Sequence, residues 1–296
     1  MTTPPVGVLG VHGVHSHQPG LTPEQASARI AGWWKDALLA GLDISADDSS
    51  RLLVDVAYYA HRLHTGTAQG DEEPDLLPDD LQQQIIEWAR LLGAPDATAQ
   101  GWLTAPARAA IAWIARHHGL DHRPLSILTN ALFREVNRYF TDPEARVAAR
   151  TEVCEAIERT HPRVLIAHSL GSVLAYEALW THEHPPIELF LTLGSPLAIP
   201  GIVYDRLADH PGPRARPPGV TRWINLADPG DVIAIPRGDI PRRFTGATDH
   251  PTKQIGLFSY HQATKYLAGT ATAEILAAHL SLTERFRVRR GDPRDR

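Results

Sequence analysis

Short, fully apolar runs alternate with longer stretches of helical period along this 296-residue chain. The run VGVLGV at 6–11 empties into His12-Gly13, the pattern of a buried strand that ends in a loop. Thr22-Pro23-Glu24-Gln25 then supplies a cap, a proline at the first helical position and early acid. Ile30, Trp33, Trp34, Ala37 and Leu38 repeat on one helical face as far as Gly41. Positions 51–59 (RLLVDVAYY) are again apolar and β-branched, so strand, helix and strand follow one another as in a parallel crossover. That order predicts an α/β fold.

Between 74 and 140 the strand signal disappears. Leu81, Ile85, Trp88 and Leu92 space one helix before Gly93. Pro106 opens a second, carrying Ala110, Trp113, Ile114 and His117 before Gly119, and Leu125, Leu128, Leu132, Val136 and Phe140 form a third. Helices inserted between two parts of a parallel sheet can serve as a lid or cap, or as extra core packing. The aromatic cluster Trp88, Trp102 and Trp113 fits either reading. Asp142-Pro143-Glu144 starts a further helix, on which Val147, Thr151, Cys154 and Ile157 are expected to face inward until His161-Pro162.

Strand chemistry returns in 163–167 (RVLIA), followed by a helix over 170–180, with His168-Ser169 at the turn between them. Positions 187–193 and 220–226 read as further strands, a proline-rich loop lies between them at 211–218, and the last helix is expected over 272–282. Residues 1–284 are expected to form one domain and 285–296, charge-dense, a solvated tail.

Composition narrows the classes. With 43% hydrophobic residues and 29 basic against 34 acidic side chains, the chain suits a globular protein without the basic footprint of a nucleic-acid binder. No apolar run reaches the roughly eighteen residues of a membrane span. One cysteine, Cys154, precludes an intrachain disulfide, and the first ten residues lack a basic signal-peptide region, so a cytoplasmic location is expected.

The chemistry concentrates at Ala167-His168-Ser169-Leu170-Gly171-Ser172. A serine between a buried strand and a helix sits on a tight turn that projects its hydroxyl outward, and small residues two before and two after it let the two backbones pass. The helix N-terminus behind it, with the Leu170 amide first, faces the place where an oxyanion would form. A serine hydroxyl needs a histidine base, and the base needs a carboxylate. Downstream, Ala227-Asp228-Pro229-Gly230-Asp231-Val232 offers Asp231, with Asp228 second; His261 is the base candidate, with His250 second. His12-Gly13-Val14 closes the first strand and can provide a second oxyanion amide, from Val14 or Gly13. His12, His15 and His17 also suggest a metal site, but no HExxH or Cys/His framework accompanies them, so no metal or other cofactor is expected.

The His12-Gly13 turn, the Ser169 turn, Leu193-Gly194-Ser195-Pro196, Asp231-Val232 and His261, in that order, resemble the α/β-hydrolase superfamily, particularly its serine esterases and lipases. The resemblance implies an α/β-hydrolase-type, mostly parallel sheet flanked by helices, with 74–140 as the helical insertion. It implies a catalytic triad of Ser169, Asp231 and His261, with an oxyanion hole from Leu170 and Val14. The expected substrate is a small-molecule or lipid ester; a peptidase, thioesterase or acyltransferase would use the same triad. The alternative is a catalytically silent hydrolase-like fold serving as an interaction module. Ala167 departs from the usual first glycine of the turn motif.

Overall fold

The computed structural model describes residues 5–44, 46–64, 74–95, 105–208, 212–252 and 261–279. Six parallel strands form one sheet: β1 (Val6–Val11), β2 (Leu52–Ala57), β3 (Val164–His168), β4 (Ile187–Leu193), β5 (Val220–Leu226) and β6 (Ala247–Asp249). Their spatial order is β2-β1-β3-β4-β5-β6. The first five follow the apolar runs of the sequence. The sixth has three residues, too few for any periodicity to announce it.

Helix α1 (Pro23–Leu42) links β1 to β2 and begins with a reciprocal cap, in which Thr22 Oγ1 accepts the Gln25 amide and Gln25 Oε1 accepts the Thr22 amide. Short α2 (Ala60–Leu63) follows β2, and then come α3 (Asp79–Leu91), α4 (Pro106–His118), α5 (His122–Thr141) and α6 (Pro143–Thr160) before β3. Helix α7 (Leu170–Thr181) follows β3, α8 (Asp239–Arg243) precedes β6, and α9 (Ala263–Ala268) and α10 (Thr270–His279) complete the described chain. The last helix thus begins two residues earlier than expected, and 280–282 lie outside the described residues, as do Trp102 and the 285–296 tail.

The strands are apolar on both faces because both are covered. Val8, Val56, Ile166 and Leu191 pack against Ile30, Trp34 and Leu38 of α1 and Leu276 of α10. Leu9, Leu165, Phe190 and Trp223 pack on the other side against α3 to α7. Gly10 makes room for α1: a Cβ there would lie 2.6 Å from the Trp34 ring.

Within the expected insertion, α3, α4 and α5 contribute Trp88, Ile111, Ile114 and Phe133 to the same core as the sheet. Trp88 is fully buried, meets Phe133 edge-on at 5.8 Å and donates from Nε1 to Val232 O at 3.0 Å, which makes it core. Trp113 is half-buried and stacks on His117. The expected inner face of α6 is corrected: Val147 is 52% exposed and Thr151 is exposed, whereas Ala145, Ala149, Val153, Ala156 and Ile157 are buried. Alanines carry the contact because α6 packs closely on α7, and small residues give a weak hydrophobic pattern.

One buried ion cluster ties this layer together. Glu177 of α7 accepts from both Nε and Nη2 of Arg146 on α6, from the Tyr139 hydroxyl of α5 at 2.6 Å and from the Ala208 amide at 2.8 Å. Glu177 is 2% exposed, so its charge depends on these donors. Glu177→Ala strands the half-buried Arg146 and is expected to cost about 3–5 kcal/mol, read as a lowered urea midpoint; an unchanged midpoint contradicts it.

Candidate active site

Ser169 stands between β3 and α7 with φ 52° and ψ −132°, a backbone state that non-glycine residues adopt at a cost of about 1–3 kcal/mol. Several contacts hold it there. Its amide donates to Leu193 O at 3.0 Å, and its carbonyl accepts the Ser172 amide at 2.9 Å and the Ser172 hydroxyl at 2.6 Å. Ser172 Oγ also lies 2.7 Å from Ser195 Oγ, which accepts the Leu197 amide at 3.3 Å. Since the Ser172 proton is committed to the Ser169 carbonyl, the Ser195 hydroxyl must donate to Ser172. Although Ser169 occupies the N-cap position of α7, its side chain caps nothing in the helix; the hydroxyl is turned to His261.

His261 Nε2 lies 2.9 Å from Ser169 Oγ and its Nδ1 lies 2.8 Å from Asp231 Oδ2. The residues expected as serine, base and acid therefore meet, although 30 and 92 positions of chain separate the pairs. Asp231 follows β5 and His261 follows β6. Asp231, rather than Asp228, meets the imidazole: Asp228 Oδ1 accepts the Gly230 amide within its own turn. His250 sits at the end of β6, where its amide donates to Asn225 O.

The Asp231 carboxylate is fully buried and its acceptor sites are filled. Oδ1 accepts the Ile233 amide at 2.9 Å and the Ala234 amide at 3.4 Å; Oδ2 accepts from His261 and from the Tyr266 hydroxyl at 2.7 Å. Tyr266 in turn accepts the Asp228 amide at 2.8 Å. Burial and then the Asp231 charge hold the Tyr266 hydroxyl well above the usual phenol range, so it remains a donor. Sequence reasoning missed Tyr266; its signal was a tyrosine five residues past the base candidate in an apolar helix, where a buried hydroxyl requires a partner.

Glycines permit the assembly. A Cβ on Gly171 would lie 2.2 Å from His12 O, and one on Gly13 would lie 2.7 Å from Ser169 Cβ. Gly194, at φ 55°, would place a Cβ 2.7 Å from Asp231 Oδ2. Ala167 in β3 is fully buried, between its register partners Val11 and Thr192.

Gly13 thus lies directly against Ser169, which puts the start of the 12–16 turn beside that residue. Neither the Val14 nor the Leu170 amide donates a loop or cap hydrogen bond among the described residues. His12 anchors the turn: its Nε2 accepts the Tyr59 amide at 3.2 Å, so its Nδ1 carries the proton and donates to Gly13 O at 2.9 Å. The Tyr59 ring stacks on it at 4.1 Å. Burial lowers the His12 pKa to about 4, and burial followed by the nearby His261 holds His168 well below the usual histidine range. The rings around His261 are therefore neutral. Among the described residues no group of three or more His, Cys, Asp or Glu is arranged to hold a metal ion.

One expectation is corrected. Ser169 does not project outward: it exposes no surface, and His261 is 8% exposed. The Gly13 backbone packs on one side of the serine, and its hydroxyl faces the buried imidazole. Chemically, the arrangement can pass the serine proton to Nε2 while Asp231 and Tyr266 hold the Nδ1 side of the ring.

Tyr266→Phe removes one donor from Asp231 and the acceptor of the Asp228 amide. It is expected to lower stability by about 1–2 kcal/mol in urea titrations and to shift the His261 Nδ1 proton resonance. His12 gives a pH signature. Its folded pKa lies below its unfolded one, so stability present above about pH 6.5 is lost as pH falls towards 4, by about 3 kcal/mol in all. His12→Gln should flatten that segment of the stability profile; an unaltered slope contradicts the assignment. No protein-family model matches the chain and no curated protein matches its sequence, so the chemistry of these residues carries the functional reading.

Proposed function

We propose that this protein is a serine hydrolase of the α/β-hydrolase type that cleaves an ester-like bond through an acyl-enzyme on Ser169. The observation that carries the reading is the continuous chain Ser169 Oγ, His261 Nε2, His261 Nδ1, Asp231 Oδ2, with separations of 2.9 and 2.8 Å. Strand context adds support: serine, acid and base follow β3, β5 and β6 in the order that this fold type uses.

In the proposed reaction His261 takes the Ser169 proton as Oγ attacks the ester carbonyl. Asp231 fixes the tautomer with Nε2 free to accept, and stabilises the imidazolium that forms. The Leu170 amide at the start of α7 and the Val14 amide of the neighbouring turn stabilise the tetrahedral oxyanion. The imidazolium then gives its proton to the leaving alcohol. Water, deprotonated by His261, attacks the acyl-enzyme, and the imidazolium returns its proton to Ser169 Oγ as the bond to the acyl group breaks and the acid leaves. Each step uses only the chain's own side chains, amides and water.

The helical layer α3–α5 acts in this reading as a fixed wall. Its Trp88 bond to Val232 O anchors the turn that carries Asp231. Because Ser169 is covered, a substrate reaches it only when the shell around Gly13 and His261 opens. That same burial favours the second reading, a catalytically silent interaction module.

A fluorophosphonate probe separates the two. Wild type should be labelled and should hydrolyse p-nitrophenyl acetate, and Ser169→Ala should abolish both while its thermal unfolding stays close to wild type. Asp231→Asn should lower kcat by about 10⁴-fold through loss of the correct tautomer. Wild type and Ser169→Ala reacting alike, or neither reacting, would falsify the hydrolase reading.

A further inference from the structure

Helix α5 sends one carboxylate into the turn beside Ser169. Glu135 Oε1 accepts the His15 amide at 2.9 Å, a contact that spans 120 positions of chain. The other oxygen, Oε2, is buried and has no hydrogen-bond partner among the described residues. His15 has φ 59°, a left-handed state that a residue with a side chain holds only under restraint. Other ties on the turn include Ser16 Oγ and His12 Nδ1, which donate to Gly13 O at 2.8 and 2.9 Å, and the Tyr59 hydroxyl, which donates to His12 O at 2.8 Å. Glu135 is the tie that meets the residue directly after Val14.

We infer that Glu135 is a positioning residue for the Ser169 site, its carboxylate fixing the turn that presents the Val14 amide to a substrate oxyanion. The inference rests on the hydrolase reading above and adds to it a residue from the helical layer.

Two physical arguments support it. Without an acceptor for the His15 amide, a strained turn loses a restraint one residue from the donor that must stay aimed, and misplaced groups of this kind cost rate rather than binding. Secondly, a carboxylate is a poor choice for mere packing here. Burial pushes the Glu135 carboxyl up to about 7, and the His15 amide is the contact that pulls it back towards ionisation. The titratable groups facing it are Tyr58 and Tyr59 after β2 and His15 on the turn, with Arg134, Arg138 and Tyr139 adjacent on its own helix. Arg138 is directed to the Leu63 and His64 carbonyls. The ionised form accepts more strongly, so the turn tightens as pH rises through the Glu135 titration.

The test compares wild type, Glu135→Ala and Glu135→Gln in p-nitrophenyl acetate hydrolysis across the acid limb. Glu135→Ala is expected to lower kcat about 10-fold with KM within about two-fold of wild type. Glu135→Gln retains an acceptor and should recover kcat to within about three-fold at alkaline pH. On the acid side, protonating Glu135 should add a fall of about three-fold to the wild-type kcat profile beyond the loss caused by protonating the base, and Glu135→Gln should lack that added fall. An active wild type matched in kcat by Glu135→Ala, a loss confined to KM, no recovery in the Gln variant, or the added acid-side fall retained in it overturns this inference and leaves the hydrolase reading standing. Should the Ala variant not fold, the limb of the Gln variant decides alone. A wild type inert towards both ester and fluorophosphonate removes the two together.

Discussion

The close passage of backbones at the β3–α7 junction is the constraint on which the rest of the structure depends. Ser169 adopts positive φ because α7 must leave the sheet at once, and α7 can start there only because Gly171 presents no side chain to the Val11 and His12 carbonyls. Gly13 fits against Ser169 from β1, and Gly194 gives way to Asp231 from β4. Three neighbouring strands thus deliver their loops to one point, and the missing Cβ atoms set how near they come. An alanine at any of the three would meet backbone, the serine or the acid before it met solvent.

With the backbones this close, polar groups at the junction are cut off from water and must satisfy one another. His168 Nε2 has no hydrogen-bond partner among the described residues, but several others do so with fixed direction. The Ser195 hydroxyl donates to Ser172 and Ser172 to the Ser169 carbonyl, while the Tyr266 hydroxyl takes the Asp228 amide and gives its proton to Asp231. The His12 tautomer follows from the Tyr59 amide in the same way. Such a network has one arrangement of protons, and a low-dielectric setting makes departures from it costly. The layer α3–α5 adds its own two ties: Trp88 reaches the acid turn, Glu135 reaches the 12–16 turn, and Trp88 meets Phe133 between them.

Most of the sheet was legible in the chain because parallel strands buried on both faces must be apolar at nearly every position. Strands β4 and β5 match the sequence reading residue for residue. That Ser169, Asp231 and His261 meet was legible for a different reason: the proton-transfer chemistry expected of them restricts the residue types, and the expected fold type restricts their order. Tyr266 was not, because a positioning hydroxyl can come from any element that reaches the acid. Strand β6 has three residues and no period. The buried face of α6 was misread because its contacts are alanines, whose modest hydrophobicity hardly marks a stripe beside Val147 and Cys154. The covered hydroxyl was missed because a turn motif dictates backbone direction, while exposure depends on loops packed over it from elsewhere.

That burial also bears on how the site can work. In a closed, water-poor shell the Asp231 charge acts on His261 with little screening, and each fixed dipole counts for more than it would in solvent. The neutral rings of His12 and His168 leave His261 as the ring of the three placed to take up the serine proton, so a positive charge formed there meets Asp231 without a cationic neighbour among them. On the proposed hydrolase reading, opening the shell to admit a substrate would weaken these advantages, and closing it would restore them around the reacting groups. On that reading the site would favour substrates that displace water as they enter, because a wet, open cleft forfeits the electrostatic setting that the three backbones converge to create.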